Sequence, residues 1–174
     1  MTIQHLTSIS IESIIKEIYN DILEGNHKTI EAKVRSAILS GIDPSTILQE
    51  GMIAAMCEVG RLFEEGEYYI PEMLVAARAM QAALTILKPQ LVKANVQPIG
   101  QVAIGTVKGD LHDIGKNLVG MMLEGAGFEI VDLGTDVSPE IFIRTVANQH
   151  VDIIALSALL TTTVPNMKVI IDAL

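Results

Sequence analysis

The period of the hydrophobic pattern changes once along the chain, near residue 95. From Ile11 to about Val92 apolar residues recur at intervals of three and four. Ile11, Ile14, Ile15, Ile18, Ile22 and Leu23 share one face, with Glu12, Lys16, Glu17, Asn20 and Asp21 mostly on the other, which predicts an amphipathic helix. A second helix is expected from about His27 to Leu39, with Ile30, Val34, Ala37 and Ile38 inward and Gly41 just past its end as a left-handed cap. Asp43 and Pro44 predict the start of a third. The carboxylate can accept the free amides of the first turn, and proline has no amide to leave unpaired. That helix is expected to run to about Glu64. Glu65, Gly66 and Glu67 break it, and Pro71 opens a fourth, whose Met73, Leu74, Ala77, Met80, Ala83, Leu84 and Leu87 reach about Pro89. Four helices with short connections read as a bundle.

Lys93 to Gly100 has the Pro, Gly and polar content of a linker, so a helical domain over 1–94 and a second domain over 95–174 are expected. Beyond the linker, short apolar runs alternate with helical patterns. Gln101 to Val107, Phe128 to Leu133 and Val151 to Ser157 read as buried parallel strands. Ile114 to Leu123 and Pro139 to Asn148 read as the helices between them, with a last helix starting near Pro165. The expected fold class is α/β, with a parallel sheet built by right-handed crossovers. Open sheets of this class have more than three strands, so the domain is expected to be incomplete at Leu174.

Composition narrows the function classes. Of 174 residues, 12 are Lys or Arg and 21 Asp or Glu, for a net charge of −9, and no basic stripe is present. Neutralising a phosphate backbone needs clustered cations, so a nucleic acid is not an expected partner. Apolar residues make up 49% of the chain but are broken by Glu, Lys, Gly or Pro before they reach the length of a membrane span, so a membrane is not expected either. Cys57 is the one cysteine and no secretory leader precedes the first helix, which makes the cytoplasm the expected compartment.

In open parallel sheets ligands sit beyond the carboxyl ends of the strands, which directs attention to Lys108-Gly109-Asp110-Leu111-His112-Asp113-Ile114-Gly115. Asp110 and His112 stand two apart in non-helical chain. One ring nitrogen can therefore donate to the carboxylate while the other accepts a hydrogen bond or holds a metal. The same pair also fits an ordinary turn residue beside a satisfied polar side chain. His5, His27 and His150 show no ligand spacing with Cys57, which leaves zinc unsupported. A phosphoacceptor site is unsupported too, because QVAIGTV carries no paired acids.

Asp110 to Gly115 resembles the cobalamin-binding motif Asp-x-His-x-x-Gly, and Ser157-Ala158-Leu159 resembles its companion Ser-x-Leu, with 41 residues between the two elements as in that family. The run from Gly109 to Gly134 is similar to the cobalamin-binding module of cobalamin-dependent methionine synthase. It is also similar to the small corrinoid proteins of methanol and methylamine methyltransferase systems. Gly60 to Pro71 resembles the turn of their helical cap, and the likeness extends from about Ser10 to Leu174.

The resemblance implies a four-helix cap followed by a flavodoxin-like, Rossmann-type cobalamin-binding domain. It implies a cobalamin or related corrinoid whose cobalt has His112 as lower axial ligand, with Asp110 accepting the other ring proton and Thr163 extending the relay. Asp113, Ile114, Gly115, Ser157, Leu159 and Thr161 are the further expected cofactor contacts, and Phe63 and Ile70 are expected over the cobalt-bound methyl group. The implied function is a carrier that accepts a methyl group on cobalt(I) from a substrate-specific methyltransferase. It would pass that group to a second methyltransferase acting on a methyl-accepting carrier, with a corrinoid reductive activase as a further partner. A cobalamin-binding sensor without methyl transfer is the alternative. The family's Gly-Gly element, which lines the channel for the cofactor's nucleotide tail, is expected beyond Leu174.

Overall fold

The computed structural model describes residues 3–174, with side chains from residue 11 onward. The chain divides into two compact units, Met1–Gln97 and Pro98–Leu174. In the first, α1 (Ile3–Leu23) and α2 (His27–Leu39) are joined by a turn in which Gly25 takes φ +72°. A Cβ at that position would stand 2.6 Å from Val75 Cγ2, so the turn accepts only glycine. Asp43 caps α3 (Pro44–Thr46) by accepting the Ser45 and Thr46 amides at 3.0 and 3.2 Å. The helix expected to continue regularly from there instead widens into π-helical turns over Ile47–Ile53 before α4 (Ala54–Glu64). The widening lies where α1 comes close: a Cβ on Gly51 would meet Ile18 Cγ2 at 3.2 Å.

The fourth helix of the bundle, α5 (Ile70–Lys93), runs beyond the expected stop at Pro89. Proline removes one amide from the ladder, but Leu87 and Leu91 are buried on either side of it and hold the last turns in place. Among the described residues α5 is the one helix long and apolar enough to cross a membrane. Its buried face, with Ala76, Ala77, Met80 and Ala83, packs against α2 and α4 within the bundle.

The second unit is a parallel sheet in the order β2-β1-β3, formed by β1 (Gln101–Thr106), β2 (Glu129–Asp132) and β3 (Ile153–Ser157). Val102 pairs with Ile130 on one side and with Ile153 on the other. The intervening helices are α6 (Ile114–Gly125) and α7 (Pro139–Asn148), and α8 (Pro165–Ala173) follows β3. The three runs read as buried strands are not buried alike. The central strand β1 is buried from Val102 to Thr106, whereas β2 and β3 flank it and keep exposed positions such as Glu129, Asp132 and Ile153. Phe142 of α7, Ile170 of α8, Val107 and Val137 make a core beneath the sheet's carboxyl end. Gly105 lets Phe142 approach β1, because a Cβ there would stand 2.8 Å from its ring.

Candidate functional site

β1 delivers the chain at the carboxyl edge of the sheet, and Gly109, at φ +83°, turns it so that Asp110 points back inside. The Asp110 side chain has no exposed surface. Its Oδ1 accepts the His112 amide at 3.0 Å and lies 2.7 Å from His112 Nδ1. Its Oδ2 accepts the Thr163 hydroxyl at 2.6 Å and the Leu159 and Leu160 amides at 2.8 and 3.3 Å. Donors from both loops thus converge on one carboxylate. The Thr163 hydroxyl, followed by the amides of His112 and Leu159, holds its pKa well below the usual carboxylate range, against the opposing effect of burial.

An ionised carboxylate only accepts hydrogen bonds, so His112 Nδ1 carries a proton, and in the neutral ring Nε2 then presents a bare lone pair. Thr163 Oγ1 also lies 2.9 Å from the Leu160 carbonyl, but its single proton goes to the closer and charged Asp110. The His112 side chain is 53% exposed. In the two loops and at the start of α6 stand exposed apolar residues: Leu111 at 73%, Ile114 at 78% and Leu159 at 65%. Gly115 leaves the first turn of α6 open, since a Cβ there would meet no protein atom within 4 Å. The edge therefore combines one directed lone pair with apolar surface and room above the helix start.

The donor set limits what metal fits. Among the described residues no three His, Cys, Asp or Glu side chains converge as a ligand group. A metal at His112 must bring its equatorial ligands with it, as a metal in a macrocycle does, and the surrounding apolar side chains suit the face of such a ring.

The residues singled out from the sequence fall in three places. Asp110, His112 and Thr163 meet in one hydrogen-bonded chain, joined by Leu159 through its amide. Ser157 ends β3, half-buried, with its carbonyl accepting the Val107 amide at 2.9 Å, and Thr161 is exposed in the turn between Leu159 and Thr163. Asp113 precedes α6 and accepts Asn117 Nδ2 at 3.1 Å, ahead of Ile114 and Gly115 in the first turn. Phe63 and Ile70 belong to the helical unit, where they flank the break between α4 and α5 and are 44% and 50% exposed.

Three further side chains hold the loop and escaped the sequence reading. Thr106 Oγ1 donates to the His112 carbonyl at 3.0 Å. Asp136 Oδ1 accepts the Gly109 amide at 2.7 Å, and Asn166 Nδ2 donates to the Lys108 carbonyl at 2.7 Å. The one available signal was Thr106, a hydroxyl that follows the run from Val102 to Gly105, which has no polar side chain.

Residues 14–88 and residues 100–174 each match a family described as B12 binding domain. The chain is 41% identical over 157 residues to trimethylamine corrinoid protein 2 of Methanosarcina acetivorans, which covers 89% of this chain and 72% of that protein. The chain belongs to the B12-binding corrinoid proteins. Its cofactor is accordingly cobalamin or a related corrinoid. Among solved structures, this corrinoid protein is similar to a chain of the methanol:cobalamin methyltransferase complex MtaBC from Methanosarcina barkeri, with a TM-score of 0.83 and 30% identity. That match covers 92% of the present chain and 62% of the other, so the corrinoid protein spans less than two-thirds of its length. A novel cobalamin-binding protein from Desulfitobacterium hafniense matches with a TM-score of 0.71 and 30% identity, over 91% of this chain and 75% of that one.

Proposed function

We propose that this corrinoid protein is a methyl carrier, loaded by a substrate-specific methyltransferase and unloaded by a second methyltransferase that acts on a methyl-accepting carrier. A reductive activase that restores the cofactor is part of the same proposal. The observation that carries it is the chain from Thr163 through Asp110 to His112, which ends in a bare Nε2 among exposed apolar side chains. When bound, the corrinoid supplies a cobalt centre that takes up a methyl group and gives it up to a nucleophile.

The chain's own residues would hold and position that centre. His112 would hold the cobalt through Nε2, with Asp110 accepting the hydrogen bond of Nδ1–H and the Thr163 hydroxyl and the Leu159 and Leu160 amides keeping Asp110 ionised. A free Nε2 could take a proton, and imidazolium beside the Asp110 carboxylate would be a neutral pair. Ser157, Leu159 and Thr161, with Asp113, Ile114 and Gly115, are the proposed cofactor contacts. Phe63 and Ile70 are the proposed apolar cover for the reactive side.

The test is an absorption spectrum after mixing the protein with hydroxocobalamin and desalting, with His112→Ala in parallel. Retained corrinoid whose spectrum changes with the substitution is expected, followed by transfer of the methyl group from methyl-loaded protein to an added thiol. Retention without transfer would favour a sensor, and no retention either by this chain or by one extended past Leu174 would overturn the corrinoid assignment of the site.

A further inference from the structure

His112 is held at three points. Its amide and its Nδ1 both go to Asp110, inside the motif itself, but its carbonyl is held from outside by Thr106 Oγ1 at 3.0 Å. Thr106 is fully buried at the end of β1, where a hydroxyl without a partner would be costly. Its own backbone is fixed on both sides. Its amide donates to the Gly134 carbonyl at 2.9 Å, its carbonyl accepts the Val137 amide at 2.9 Å, and it stands in register with Ser157 of β3. The hydroxyl is thus a fixed point of the sheet from which the carbonyl of His112 is suspended.

A second arm reaches the same stretch from the loop after β2. Asp136 adopts φ +55°, a conformation disfavoured for residues with a side chain but tolerated by Asp and Asn. There its amide donates to the Asp110 carbonyl at 3.0 Å, while its Oδ1 accepts the Gly109 amide at 2.7 Å. Asp136 therefore brackets the backbone of Asp110 on both sides. The two arms act on consecutive parts of one loop, and between them residues 109–112 have little freedom left to lose when a ligand arrives.

We propose that Thr106 and Asp136 are positioning residues for His112, fixing the backbone of residues 109–112 so that Nδ1 stays on Asp110 and Nε2 stays bare and directed outward. This rests on the reading of His112 as the axial ligand, but its effect on the imidazole exists before any corrinoid binds. Neither residue touches the cofactor in this account; each acts through the loop.

The experiment uses the whole chain and two paired sets of variants. Thr106→Val removes the hydroxyl and keeps the branched shape, whereas Thr106→Ser keeps the hydroxyl. Asp136→Ala removes the acceptor, whereas Asp136→Asn keeps an acceptor oxygen and tolerates positive φ. The first readout is the nitrogen-15 spectrum of the His112 ring without corrinoid. Wild type, Thr106→Ser and Asp136→Asn are expected in the single Nδ1–H tautomer, while Thr106→Val and Asp136→Ala move to a mixture of tautomers. The second readout is hydroxocobalamin binding with its absorption spectrum. Thr106→Val and Asp136→Ala are expected to weaken binding about tenfold and to lower the histidine-ligated fraction, as loss of the groups behind a metal ligand does.

A single tautomer retained in both Thr106→Val and Asp136→Ala would overturn the proposal. So would equal behaviour of Thr106→Val and Thr106→Ser, since a purely structural threonine would not distinguish the hydroxyl. If neither the wild-type chain nor one extended past Leu174 retained corrinoid, the methyl-carrier reading would fall, while the tautomer comparison would still decide the positioning role.

Discussion

The helical unit and the α/β unit bury different kinds of side chain. In the first, the core is aliphatic and thioether, with Ile18, Ile22, Ile30, Met52, Met80 and Leu87 almost without exposed surface. Its buried charge, Asp21, is met by Thr29 Oγ1 at 2.7 Å and Lys33 Nζ at 2.9 Å. In the second unit the described buried polar residues are Thr106, Asp110, Lys116, Thr145 and Thr163, and all but Thr145 lie at the carboxyl edge of the sheet or one turn from it. The apolar residues displaced from the interior at that edge, Leu111, Ile114 and Leu159, are exposed. The bundle is stabilised by area removed from water, which tolerates many side chains of similar volume. The edge of the sheet is specified by directed bonds, which do not. A site can be recognised in this molecule by that inversion of the usual placement.

The largest expected effect breaks the bundle alone. Leu87→Ala empties a fully buried position on α5 and is expected to cost about 2–5 kcal/mol in denaturant unfolding of the helical unit, leaving the His112 ring signal unchanged. A shifted ring signal would show that the two kinds of packing are not independent. Next is Gly105→Ala, where the new Cβ would sit 2.8 Å from Phe142 Cζ and 3.2 Å from Leu133 Cβ. Overpacking of this kind costs about 1–3 kcal/mol, here read as a lower unfolding midpoint of the α/β unit. An unchanged midpoint would mean that the core under the sheet yields more easily than its buried Phe142 suggests.

The same contrast explains what could be read from the sequence. Periodicity located each helix of the bundle, because burial on one face writes itself into spacings of three and four. It missed the π-helical turns at Ile47–Ile53 and the continuation of α5 past Pro89, since both depend on what packs against the helix rather than on the helix itself. Apolar runs located the strands but not their different exposure, which follows from the order β2-β1-β3. The pair Asp110 and His112 was legible because the partners stand two residues apart. Thr163 was legible only through resemblance to a family, for it meets Asp110 from 53 residues away. Thr106, Asp136 and Asn166 act through main-chain atoms, and a bond to a carbonyl or amide leaves no complementary residue type to search for.

A smaller change sharpens the account of the edge. The pKa of Asp110 is lowered in the folded protein, so the stability it contributes is fully present above the ordinary carboxylate range, near pH 4, and is lost as pH falls through its depressed folded value. Asp132 adds to the same limb. Burial pushes its pKa up, but the hydrogen bonds from Lys116 and the Gly134 amide outweigh that and leave it lowered. Acid unfolding of the α/β unit is therefore expected to begin below about pH 4, with a shallower slope in Asp110→Asn. In that variant an amide nitrogen facing His112 pairs with Nδ1 only in the other tautomer. The nitrogen-15 spectrum should accordingly move toward Nε2–H, and an unmoved tautomer would mean that Asp110 does not set it.

The smallest expected effect concerns a charge that lies deeper than Asp110's partners and yet is not expected to matter for the ligand. Lys116 is almost fully buried in α6, with Nζ 2.7 Å from both Asp132 oxygens and 2.7 Å from Asn117 Oδ1. Its carboxylate partner is half-exposed, so water can take over the solvation of Asp132 when the ammonium is removed. Methionine fills nearly the same volume, and replacing a buried charge by an apolar side chain relieves its desolvation. Lys116→Met is therefore expected to change the stability of the α/β unit by about 1 kcal/mol or less. The His112 tautomer should stay fixed, because Thr106, Asp110 and Asp136 hold the loop without Lys116. A tautomer that moved in Lys116→Met while stability held would instead mean that the start of α6, through Asn117 and Asp113, helps to orient the imidazole. The directed bonds of the edge would then extend one turn further into the helix.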